Sequence, residues 1–65
     1  MNRKLIKALR VNKSLNQYQF SELIGISRAL LAQIEAGYVS PSHKVIQKIY
    51  DVLDGDYIQK VRDLQ

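Results

Sequence analysis

Four residues punctuate this chain: Gly25, Gly37, Pro41 and Gly55. Between them the apolar residues recur with a helical period and do not alternate. Leu5, Ile6 and Leu9 predict a first helix over about 2–12, with Arg3, Lys7 and Arg10 sharing another face. Phe20, Leu23 and Ile24 predict a second over about 17–24, with Asn16 as its N-cap and Gly25 in the left-handed position that ends it. Ser27 predicts the N-cap of a third helix over about 28–36, stopped by Gly37. Tyr38-Val39-Ser40-Pro41-Ser42 reads as a loop. Either Ser42, or Ser40 followed by Pro41, caps a fourth helix to about Leu53, with Val45, Ile46, Ile49, Tyr50 and Leu53 as its apolar stripe. Asp54-Gly55-Asp56 reads as a turn. Tyr57, Ile58, Val61 and Leu64 then give a last helix, from 56 or 57 to about 64. No segment reads as a strand.

Five short helices in 65 residues make one compact all-α domain over 1–65. Its core is thin, because a chain of roughly 60 residues buries only about 60% of its unfolded surface. There is no cysteine and one histidine, His43, so neither disulfides nor a zinc site staples the fold. Stability must come from well-packed helices or from a second copy of the chain. No metal and no cofactor is expected. The same inventory leaves no nucleophile–base pair, so an enzyme is not expected. No apolar run approaches the roughly 18 residues that cross a bilayer. Met1-Asn2-Arg3-Lys4 leads into no long apolar stretch or cleavage site, so no signal peptide is read and the expected compartment is the cytoplasm.

Net charge is +4 and the pI is about 9.6. The charge is unevenly spread. Residues 1–48 hold eight Lys/Arg and two acids, a net +6, whereas 49–65 hold two basic residues and four acids, a net −2. A basic body suits a polyanionic partner, although the same charges also serve solubility.

Gln17 to Glu35 is the informative stretch: two short helices joined by Gly25-Ile26-Ser27. This is a helix-turn-helix arrangement. Gly25 permits a sharp turn with positive φ, Ile26 fills the angle between the helices, and Ser27 caps the second of them. On a helical wheel Leu31 and Ile34 point to the core, while Ala29, Gln33 and Ala36 point away, flanked by Arg28 and Ala32. Small residues permit close approach to a groove. Arg pairs with O6 and N7 of guanine, and Gln with N6 and N7 of adenine.

The string Leu15-Asn16-Gln17, Phe20-Ser21-Glu22-Leu23, Gly25-Ile26-Ser27, Gln33-Ile34-Glu35-Ala36-Gly37, Pro41 and Leu53 resembles the Cro/phage-repressor (XRE-like) family of helix-turn-helix proteins, over about Leu5 to Leu53. The resemblance implies a five-helix, lambda-repressor-like domain that binds double-stranded DNA, usually as a two-fold homodimer. It implies that Arg28, Ala29 and Gln33 meet base edges, with Gln17 on a phosphate at the start of the second helix. Asn16, Ser27, Tyr38, Ser40, His43 and Lys44 are the other expected backbone contacts. It places Arg10 and Glu35 as an ion pair behind the recognition helix, with Arg10 also within reach of phosphate. The function implied is a small transcriptional repressor of phage or mobile-element type, bacterial or phage-encoded. With no room for a sensor domain, regulation would come from concentration, competition with polymerase or a partner protein.

Three positions depart from the family pattern. Ser14 stands where the family commonly has Gly, which either strains the turn or moves the helix end to Asn12-Lys13. Ser21 stands where the family has Ala, and a buried hydroxyl there needs a backbone acceptor. Leu30 lies on a flank that is usually polar, where it either touches a thymine methyl or joins a protein-binding patch. That patch supports the alternative function, a protein-interaction module on the same fold. In the last helix, Ile58 and Val61 are expected to face inward, with Tyr57 and Leu64 available to a partner copy.

Overall fold

Every helix begins on a polar side chain that accepts from its first free amides. The structure, a computed structural model describing residues 1–65, has five helices: α1 (Arg3–Asn12), α2 (Gln17–Ile24), α3 (Arg28–Ala36), α4 (His43–Val52) and α5 (Gly55–Leu64). Asn2 Oδ1 accepts from the Leu5 amide at 2.9 Å, Ser27 Oγ from Leu30 at 3.0 Å, and Ser42 Oγ from Val45 at 3.2 Å. Ser42, rather than Ser40 with Pro41, is therefore the cap of α4. At α2 the device is reciprocal: Asn16 Oδ1 accepts from the Gln19 amide at 2.8 Å, and Gln19 Oε1 accepts from the Asn16 amide at 2.9 Å. Asp54 Oδ1 accepts from the Asp56 amide at 3.1 Å, so α5 starts at Gly55, inside the segment expected to be a turn.

The ends are as specific. Gly25 at φ +81° and Gly37 at φ +87° close α2 and α3 in the left-handed region. Ser14 takes φ +59° to close α1, so the departure at this position both ends the helix at Asn12 and strains a non-glycine residue. The Ser14 amide donates to Val11 C=O at 2.9 Å and the Leu15 amide to Arg10 C=O at 3.2 Å, the double bond pattern of a Schellman end. Leu15, the next residue, packs on the core.

Twelve apolar side chains form that core. Phe20 from α2, Ile6 and Leu9 from α1, Leu31 and Ile34 from α3, and Ile49 from α4 lie fully inside, and Ile58 and Val61 close it from α5. α3 packs against both α1 and α2, α5 lies on α1, and α4 lies on α2. Ser21 is buried, and its Oγ donates to Tyr18 C=O at 3.0 Å, the backbone acceptor its position demands. Leu30 is half-buried and packs against the core.

Tyr57 has contacts within the chain that its helical spacing does not announce. It is half-buried, and its hydroxyl donates to Leu9 C=O at 3.0 Å and lies 3.0 Å from the Asn12 side-chain amide. Lys13 Nζ sits 4.3 Å from the ring centroid. The phenol thus ties α5 to the end of α1 while its ring stays half-buried, and Leu64 is 78% exposed. No helix is long and apolar enough to cross a membrane.

Candidate nucleic-acid interface

α3 has one apolar edge, and that edge fixes which residues it presents outward. With Leu31 and Ile34 buried, Arg28, Ala29, Gln33 and Ala36 are exposed and Ala32 is half-buried. The outer surface is low relief apart from Arg28 and Gln33. Ser27, Asn16, Tyr38, Ser40, His43 and Lys44 are exposed around it, and Gln17 is half-buried. Ser27 and Asn16 already accept amide bonds as caps, which leaves their own O–H and N–H groups outward-facing donors.

Behind α3 the geometry centres on Glu35. Arg10 Nε donates to Glu35 Oε2 at 2.8 Å and Arg10 Nη2 to Oε1 at 2.9 Å, a bidentate pair. Their side chains are 13% and 6% exposed, so this is a nearly buried ion pair and not a surface one. Arg10 Nη1 also donates to Leu15 C=O at 3.0 Å. The Glu35 hydrogen bonds hold the Arg10 guanidinium above its ordinary pKa, against an opposing push from burial. Gln17 Nε2 donates to Glu35 Oε1 at 3.3 Å, and Arg3 Nη1 to Glu35 C=O at 3.4 Å. One residue of α3 is thereby held by α1 and by the first turn of α2.

The structure gives three groups neighbours that the sequence reading did not assign to them. Lys48 Nζ on α4 donates to Gly25 C=O at 2.8 Å and clamps the turn of the helix-turn-helix unit. Arg3 lies where a Cβ at Gly37 would come within 3.2 Å of its guanidinium, so Gly37 provides both a left-handed turn and clearance. Tyr18 lies under Arg28, with 4.9 Å between the guanidinium carbon and the ring centroid. Only the capping box at Asn16-Gln17-Tyr18-Gln19 had a local signal, an N-cap residue followed three positions on by Gln. The other contacts join segments that are distant along the chain.

A search of curated proteins and one of solved structures gave no match. A helix-turn-helix family model matches residues 6–57, which take in α1 from Ile6 onward, α2 to α4 and the start of α5. With its caps, left-handed turns and outward-facing α3 in this order, the chain belongs to the helix-turn-helix family of Cro/C1 (XRE-like) type, a family of DNA-binding regulators.

Proposed function

We propose that this protein is a sequence-specific regulator of transcription, a small repressor of phage or mobile-element type acting in the bacterial cytoplasm. It would lay α3 in the major groove of a near-palindromic operator. The observation that carries this reading is the outer face of α3: Arg28 and Gln33 are exposed among alanines, while the opposite edge is buried. Arg28 and Gln33 read base edges, and Ala29 permits the close approach. Asn16, Gln17, Ser27, Tyr38, Ser40, His43 and Lys44 serve the phosphates. Gln17 has a second amide N–H beyond the one given to Glu35. Arg10, bonded twice to Glu35 and once to Leu15 C=O, holds α3 from behind and keeps two of its five N–H groups for a phosphate.

Two copies with recognition helices about 34 Å apart would match one turn of duplex. A body of 27 × 23 × 20 Å across its Cα atoms leaves room for a second copy at that spacing. Leu64 and Val11, 78% and 54% exposed, line one apolar depression between α5 and α1 that could receive that copy or a regulatory protein. The protein-interaction alternative loses part of its surface, because Leu30 is half-buried in the core.

Selection of bound duplexes from a randomised double-stranded pool tests the reading. A near-palindromic consensus whose half-sites lie one turn apart is the expected result. Recovery of no consensus, together with no salt-dependent affinity for random duplex, would reject it.

A further inference from the structure

Tyr18 is 66% exposed, yet its position is tightly set. Its backbone lies in the first turn of α2, inside the Asn16–Gln19 capping box, and its carbonyl accepts from Ser21 Oγ at 3.0 Å. Its ring reaches across to α3 and lies 4.9 Å from the Arg28 guanidinium carbon. Arg28 needs such a neighbour. It is the first residue of α3, where the positive end of the helix dipole disfavours a cation, and no acid occupies that first turn. Arg28 forms no ion pair either, the single pair in the molecule being Arg10 with Glu35. The aromatic face is therefore the group that holds it.

We propose that Tyr18 is a positioning residue for base recognition by Arg28. Stacking on an aromatic face occupies the face of a guanidinium and leaves its N–H edge free. That edge makes the paired hydrogen bonds to O6 and N7 of guanine. A guanidinium held in advance loses less rotamer freedom on binding, so the ring strengthens the one contact that tells guanine from other bases. The proposal rests on the reading of Arg28 as a base contact. It requires the ring of Tyr18 and not its hydroxyl.

The test uses a duplex selected from the randomised pool and its variants, carrying each of the four base pairs at the position where Arg28→Ala loses preference. Tyr18→Ala is expected to lower the preference for guanine at that pair by about two- to thirtyfold. Low-salt affinity for random duplex should not change. Tyr18→Phe should keep the preference, and Tyr18→Ala should add nothing in the Arg28→Ala background. Equal weakening on all four duplexes, an unchanged preference, or a loss shared by Tyr18→Phe would overturn the proposal while Arg28 stays a base reader. If Arg28→Ala leaves the preference intact at every pair, the reading of Arg28 falls and Tyr18 falls with it. Tyr18 is exposed, and thermal melts of both variants should match the parent, which separates lost recognition from lost fold.

Discussion

Glu35 shows how much one side chain can carry. An exposed ion pair is worth about 0–1 kcal/mol. Arg10 and Glu35 are nearly buried, so breaking the pair strands a charge, at a cost of about 3–5 kcal/mol. A domain of this size has a total stability of roughly 3–10 kcal/mol. Glu35→Ala should therefore leave a substantially unfolded population in a urea titration, whereas Arg10→Met with Glu35→Leu should stay within about 1–2 kcal/mol of the parent. Equal losses in the single and double variants would show that the pair itself, and not the stranded charge, carries the energy. Ser14 offers the opposite case. A left-handed residue with a Cβ costs roughly 1–2 kcal/mol, partly offset by the greater chain entropy that Gly loses on folding. Ser14→Gly should raise the urea midpoint by the equivalent of about 0.5–1 kcal/mol without changing DNA binding.

The helices depend on their attachments as much as on their own propensities. α5 is fastened to α1 through Tyr57, and burial pushes the phenol above its ordinary value of about 10. The folded state then keeps its proton to higher pH than the unfolded state does. Stability from this source is present below the ordinary value and is lost as pH rises through the raised one. Tyr57→Phe should cost about 1 kcal/mol near neutrality and should lack that part of the alkaline decline, as read by denaturant melts from about pH 8 to 11. Parallel curves for the two proteins would place the titration elsewhere. α3 depends on Ser27 for its N-terminus. Ser27→Ala removes the acceptor for the Leu30 amide and should cost about 1 kcal/mol, measurable in the same melts.

At the scale of the whole molecule, charge and shape bear on association. The basic residues 1–48 and the acidic residues 49–65 give one end of the sequence an affinity for a polyanion and the other an aversion to it. If two copies neutralise about six to ten phosphates, affinity for an operator duplex should fall by about 10³–10⁵ between about 50 and 200 mM salt. A shallow dependence in a fluorescence anisotropy titration would argue for a monomer with few phosphate contacts.

The helical spans were legible because their signals are local. Asn16, Ser27 and Gly25 act on amides and carbonyls within a few residues, and the 3.6-residue period of Leu31 and Ile34 already assigns α3 its inner edge. Asp54 misled because a residue that reads as a turn former is also a good N-cap, and only the direction of the following chain distinguishes the two. Tyr57, Leu30 and Tyr18 were not legible in the same way. The Tyr57 hydroxyl finds its acceptor 48 positions away, and Lys48 finds Gly25 at a separation of 23. Periodicity gives an amphipathic side chain a face but not a neighbour. The neighbour comes from how five helices share one small core, and that packing turned Tyr57 inward and set the ring of Tyr18 beneath Arg28.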